Sequence, residues 1–227
     1  MKPENIIIEG ITGSRAYGLD TEDSDTDIKG VYVAPTQSVL SLEASSLGYN
    51  KKHATKDNVD PDWVYHEVEK FINLALKANP TILEMLFLDG YTALSKHGKM
   101  LVDNRHLFLS NTVYKSYGGY ALSQARKLNA RGGTYGNGRN NRYSKHTRHC
   151  FRLLYQGKEL LETGTLTVRV TPEMRKELFA IGEFSPQEII SKFEKDFAEF
   201  DKVKSVLPDK PDIEAINKLL LRIRKGN

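Results

Sequence analysis

Residues Ile6-Ile7-Ile8-Glu9-Gly10-Ile11 are rich in β-branched apolar side chains, and the stretch stops at Gly13. That pattern predicts a short buried strand over 5–11, followed by a turn or short helix over 14–19. A second strand is expected over 25–33, where Ile28, Val31 and Val33 precede Ala34-Pro35. A polar stretch then runs to about residue 61, and Asp62-Trp-Val-Tyr-His-Glu67 reads as a third strand. Val68, Phe71, Ile72, Ala75 and Leu76 recur at helical spacing, and Asn79-Pro80 closes that helix and opens the next. Beyond about residue 100 the periodicity is helical, over 111–130 and 142–162. A link with four glycines, Arg131-Gly-Gly-Thr-Tyr-Gly-Asn-Gly138, separates the two helices. A brief strand is expected over 166–170. Ser185-Pro-Gln-Glu188 forms a capping box that opens a helix to about Val206, and a final basic helix spans 212–225. The pattern divides the chain into an α/β domain over 1–100 and a helical domain over 101–227.

Composition changes this picture little. The 227 residues are enough to bury a core without staples, and 27% charged residues is ordinary for a globular chain. No apolar run approaches the roughly 18 residues of a membrane span, and the start carries no secretory signal. One cysteine, Cys150, excludes an internal disulfide and fits a reducing cytoplasm. A soluble, cytoplasmic protein is the expectation, with no membrane partner.

Charge changes it more. The formal net charge is only +4, yet between Asp103 and Glu159 there is no Asp or Glu while eleven Lys or Arg occur. Such a block marks either a solvated face or a surface for an anion, a nucleotide's phosphates or a nucleic acid backbone. The acidic counterpart lies early: Asp20, Glu22, Asp23, Asp25 and Asp27 fall within eight positions.

Gly13 and Gly18 have P-loop separation, but Leu19-Asp20 stands where lysine and a hydroxyl would be needed. A calcium loop starting at Asp23 meets Ile28 in place of its turn glycine and Ala34 in place of its bidentate glutamate. On a strand, by contrast, Asp25 and Asp27 share one face, roughly 6 to 7 Å apart. At an effective dielectric of about 20 they repel by about 2 kcal/mol, which a divalent cation would reverse. Oxygen-only ligands point to Mg²⁺ or Mn²⁺; an acidic turn facing water is the plainer alternative.

Gly13-Ser-Arg-Ala-Tyr-Gly18 followed by Ser24-Asp-Thr-Asp-Ile-Lys-Gly30 resembles the active-site signature of DNA polymerase β-type nucleotidyltransferases. The nearest branch is the one associated with RNA repair, and the likeness continues through Lys70-Phe71, Asn79-Pro-Thr-Ile-Leu-Glu84 and 145–166. The resemblance implies an α+β fold, a small mixed sheet with helices on one side followed by a mostly helical domain. It implies that Gly13 and Ser14 hold a nucleoside triphosphate and that Asp25 and Asp27 hold Mg²⁺ or Mn²⁺. A third carboxylate is expected on a neighbouring strand; Asp62 is the first choice and Glu67, five residues along and facing the other way, the second. Glu84 either buttresses the site or is structural.

On the helix over 142–162, Lys145, His149 and Arg152 form one stripe, with Cys150, Leu153, Leu154, Leu160 and Leu161 on a core-facing one. The stripe suits the phosphates or base of a nucleotide, or is simply a wet face. Arg126 and Lys127 are weaker candidates. Trp63 and Tyr65 read as core, and Tyr114, Tyr117 and Tyr120 as packing or as part of a nucleic-acid surface. The implied activity is metal-dependent transfer of a nucleoside monophosphate from an NTP to a hydroxyl, with RNA, a tRNA or a 3′ end, as the expected acceptor. A protein or small-molecule hydroxyl, and a non-catalytic nucleotide- or RNA-binding module, are the alternatives.

Overall fold

The computed structural model describes residues 2–41, 54–56, 62–132 and 141–225. The glycine-rich stretch from Gly133 to Gly138 lies outside them. Two compact units result, Met1–Phe108 with Pro211–Asn227, and Leu109–Lys210.

The first unit is built on a five-stranded mixed sheet. Its strands are β1 (Ile6–Thr12), β2 (Asp27–Tyr32), β3 (Ala54–Lys56), β4 (Asp62–Glu67) and β5 (Ala93–Leu94), in the order β3-β4-β2-β1-β5. β2 runs antiparallel to β1 and parallel to β4, and the two edge strands are antiparallel to their neighbours. Parallel neighbours need a crossover; here residues 33 to 61 supply it. The two edge strands were not expected from the sequence. β5 is two residues long and β3 three, too short for a period of two to register.

Between β1 and β2 lies α1 (Gly13–Tyr17), closed by Gly18 in the left-handed conformation. α2 (Thr36–Leu40) follows β2. α3 (Val68–Ala75) directly continues β4 and buries Val68, Phe71, Ile72 and Ala75, four of the five positions the periodicity picked; the fifth, Leu76, is the half-buried C-cap. Asn79-Pro80 does open a helix, α4 (Pro80–Leu83), which tightens into a 3₁₀ turn over Glu84–Leu86. α5 (Lys96–Asp103) completes the early part of this unit.

The second unit consists of α6 (Thr112–Gly132), α7 (Asn141–Thr163), α8 (Pro172–Ile181) and α9 (Pro186–Asp201). The capping box at Ser185 and Glu188 is formed in both directions. α9 stops at Asp201, short of Val206. The expected strand at 166–170 is absent although its alternation is real: Leu166, Val168 and Val170 are buried. Its backbone bonds to side chains instead of a ladder, since Glu159 Oε2 accepts from Thr167 N and Gln156 Nε2 donates to the carbonyls of Thr167 and Val168.

The last helix, α10 (Ile213–Lys225), belongs to the first unit rather than to the helical one. It packs on α5 and on the 3₁₀ turn Arg105–Phe108, and a buried ion pair ties its end to β4. Arg224 Nη1 lies 2.7 Å from Glu67 Oε1, and both side chains are almost wholly enclosed. Glu67 also caps α3 by accepting from Glu69 N and takes a bond from Ala34 N. Among the described residues no helix is long and apolar enough to cross a membrane.

Candidate active site

Thr12, the last residue of β1, is register-paired with Asp27, the first of β2. The next residue, Gly13, has φ +67°, a conformation that side chains with a Cβ adopt at a cost. A Cβ there would also lie 2.1 Å from Asp27 Oδ2. Glycine is thus required twice over: the turn carrying Ser14 is folded against the Asp27 carboxylate.

Asp27 is in turn register-paired with Asp62 across the parallel β2/β4 pair, and the ladder begins one residue earlier with Asp62 N donating to Thr26 O at 3.1 Å. Side chains of paired residues project to the same face, with strand axes about 4.8 Å apart. Two carboxylates from adjacent strands therefore stand together beside the glycine turn.

Asp25 lies just before β2 and is exposed. The strand does not reach back to it because residues 21 to 24 are committed to a turn: Ser24 N donates to Thr21 O, and Thr21 N to Ser24 Oγ. Arg15 on α1 holds the carbonyls of Ser24 and Asp25 at 2.6 and 3.3 Å, fixing the approach to the strand. Arg15 was not singled out from the sequence, although it sits inside the motif.

The second-choice carboxylate, Glu67, is at the far end of β4, engaged with Arg224, Ala34 N and Glu69 N. Asp62 is engaged differently. Its Oδ1 is buried and has no hydrogen-bond partner. A buried carboxylate oxygen left so is costly, and a cation is one thing that satisfies it. Among the described residues no three His, Cys, Asp or Glu side chains converge as a ready-made metal cage. Mg²⁺, however, characteristically takes one or two carboxylates together with substrate phosphates. The Asp27/Asp62 pair, all oxygen and with one oxygen unsatisfied, fits that requirement.

Glu84 is 1% exposed, and its Oε2 accepts from the hydroxyl of buried Tyr17 at 2.6 Å. That bond ties the end of α1 to the Asn79–Glu84 segment. Tyr17→Phe is expected to cost about 1–3 kcal/mol in urea denaturation, because a buried carboxylate loses a donor. Glu84→Gln keeps an acceptor for the Tyr17 hydroxyl and is expected to cost less.

Trp63 and Tyr65 are core residues, buried and packed against each other.

In the second unit the expected stripe on α7 is graded rather than uniform. Lys145 is exposed, His149 half-buried and Arg152 fully buried. The core-facing residues Cys150, Leu153, Leu154, Leu160 and Leu161 are buried as well, so α7 is enclosed on nearly all sides at Arg152. The Arg152 guanidinium donates to Gln156 Oε1 and contacts His149 Nδ1 at 3.1 Å. It is not a fork offered to solvent. Gln156 was missed in the sequence, though it stands one helical turn from Arg152. Burial pushes the Cys150 thiol up to about 12, which makes it inert as a nucleophile.

Arg126 is exposed. Of the three tyrosines, Tyr117 is buried, Tyr114 stacks on Phe200 at 5.4 Å, and Tyr120 meets the His149 ring edge-on at 5.8 Å.

An uncharacterized 38.9 kDa protein of Enterobacteria phage T4 is 32% identical over 135 residues, 56% of this chain. The match spans 39% of that protein, well under half its length. Among solved structures, a nucleotidyltransferase-like protein from Exiguobacterium sibiricum aligns over 99% of this chain and 75% of its own, at 12% identity and a TM-score of 0.35. The sequence profile of RlaP, the RNA repair pathway DNA polymerase beta family, matches residues 2–222, and the chain belongs to that family.

Proposed function

We propose that the protein is a metal-dependent nucleotidyltransferase that moves a nucleoside monophosphate from an NTP to an RNA hydroxyl and releases pyrophosphate. The observation that carries this reading is the register pairing of Asp27 with Asp62 beside the positive-φ turn at Gly13, with one Asp62 oxygen buried and unsatisfied. Membership of a polymerase β-like family supports nucleotidyl transfer as the reaction class.

The roles follow from the donors and acceptors present. Gly13 lets phosphate approach the backbone closely, and Ser14 offers a hydroxyl and an amide to phosphate oxygens. Asp25, Asp27 and Asp62 supply the anionic oxygens that hold Mg²⁺ or Mn²⁺. When bound, the metal lowers the pKa of the acceptor hydroxyl and offsets charge developing on the leaving group. The acceptor oxygen bonds to the α-phosphorus as the bond to the bridging oxygen of pyrophosphate breaks, and the hydroxyl proton leaves to solvent. In the second unit, Lys145, His149 and Arg152 are assigned to nucleotide binding, Lys145 by direct charge and Arg152 through its neighbours. The acid-free span from 104 to 158 favours a polyanionic acceptor.

Pure protein mixed with each labelled NTP, Mg²⁺ or Mn²⁺ and total RNA is expected to give labelled RNA. Label on protein or on a small molecule instead would reassign the acceptor. No transfer to any of them would make the chain a binding module.

A further inference from the structure

β2 begins at Asp27, and the backbone leading into it is held at every carbonyl from Ser24 to Thr26. Arg15 Nη2 donates to Ser24 O at 2.6 Å and Arg15 Nε to Asp25 O at 3.3 Å, while Asp62 N donates to Thr26 O at 3.1 Å. Nε and Nη2 lie on one edge of the planar guanidinium, so the carbonyls of Ser24 and Asp25 converge on the same side of the chain. Along a strand, successive carbonyls point to opposite sides. The pleat therefore does not set the place of the Asp25 side chain relative to Asp27. The bonds made by the backbone at 24 to 26 do.

Both holders belong to the site already described. Arg15 directly follows Ser14 on the turn that opens with the positive-φ Gly13. Asp62 carries the carboxylate register-paired with Asp27. The exposed Asp25 is thus carried on a segment held between the glycine turn and β4.

We propose that Arg15 is a positioning residue for the metal site, acting through Asp25: it holds that carboxylate where it joins Asp27 and Asp62 on a divalent cation. This rests on the function proposed above, in which these carboxylates hold Mg²⁺ or Mn²⁺. A group that orients a ligand from outside the coordination sphere typically carries about 10- to 100-fold in metal affinity. A methionine keeps much of the length of the Arg15 side chain and removes both donors. A lysine restores the charge as a single point and not as a fork, so it recovers only part of the effect.

The test is Mn²⁺ binding by the whole chain in the presence of a nonhydrolysable NTP analogue, read from the paramagnetic resonance signal of free Mn²⁺. Arg15→Met is expected to raise the Mn²⁺ Kd about 10- to 100-fold, and Arg15→Lys to raise it less. In a chain that already carries Asp25→Asn, adding Arg15→Met is expected to change Kd by no more than about twofold, because the two residues then act as one unit. An unchanged Kd in Arg15→Met overturns the proposal. So does an equal loss with and without the Asp25 carboxylate, which would make Arg15 a direct phosphate contact or a support of the fold. Should Arg15→Met not fold, Arg15→Lys takes its place in the same cycle. Wild-type protein that binds no Mn²⁺ fails the proposed function itself, whereas normal wild-type binding that is indifferent to Arg15 fails this assignment alone.

Discussion

Asp27→Asn is expected to lower nucleotidyl transfer by about 10³-fold or more, about 4 kcal/mol of transition-state stabilisation, with Tm held within about 3 °C of wild type. Asparagine keeps the volume that fills the space against Gly13, where Asp27 Oδ2 lies. It keeps one acceptor oxygen as well. What it removes is the charge, and with it the repulsion of Asp62, register-paired across the strands. Removing that repulsion offsets part of any lost contact, so the fold is spared while the grip on a divalent cation goes. Rates come from transfer at saturating NTP and metal, and stability from thermal denaturation of the same sample. A large fall in Tm with proportionate loss of activity would instead make the pair a folding element.

The second large effect is on stability. Arg224→Met is expected to cost about 3–5 kcal/mol in urea denaturation, because it strands the Glu67 carboxylate in the interior. Arg224 lies 2.7 Å from Glu67 and also reaches the Ala34 carbonyl and Glu69, while its own carbonyl accepts from the Thr36 hydroxyl. One side chain at the end of α10 therefore fastens the last helix to the end of β4, the start of α3 and the segment after β2. Adding Glu67→Gln to Arg224→Met should recover part of the loss, since no uncompensated charge then remains. A single-variant cost below about 1 kcal/mol would be that of an exposed pair, and would contradict the enclosure of both side chains.

The parts of this fold that the sequence made legible are those where pattern and chemistry are local. β1, β2, β4 and α3 carry their apolar periods within one segment, and Ser185 with Glu188 forms a cap between residues three apart. The Gly13-Ser14 turn is likewise continuous in the chain, whereas the strand face expected to carry both Asp25 and Asp27 is not formed, since β2 begins at Asp27. Other features depend on who the neighbour is. The strand expected at 166–170 has the right alternation but no ladder partner. Glu67 and Asp62 are both carboxylates on one strand, and their environments are separated by contacts that the strand itself does not carry, among them the ion pair of Glu67 with Arg224, 157 residues away in sequence. Arg152 looked like a solvent-facing fork because helical spacing places it with Lys145. Its burial follows from the packing around α7, and the Gln156 hydrogen bond that accommodates it there is a matter of side-chain orientation, which spacing does not carry.

Asp27 and Asp62 are expected to bind a divalent cation jointly. Crystals grown with Mn²⁺ and a nonhydrolysable NTP analogue, measured at the manganese edge, test it directly. The expected result is an anomalous peak about 2.0–2.3 Å from a carboxylate oxygen of each, including the Asp62 oxygen that lacks a hydrogen bond. A peak elsewhere, with these two carboxylates bonded instead to protein donors, would contradict it.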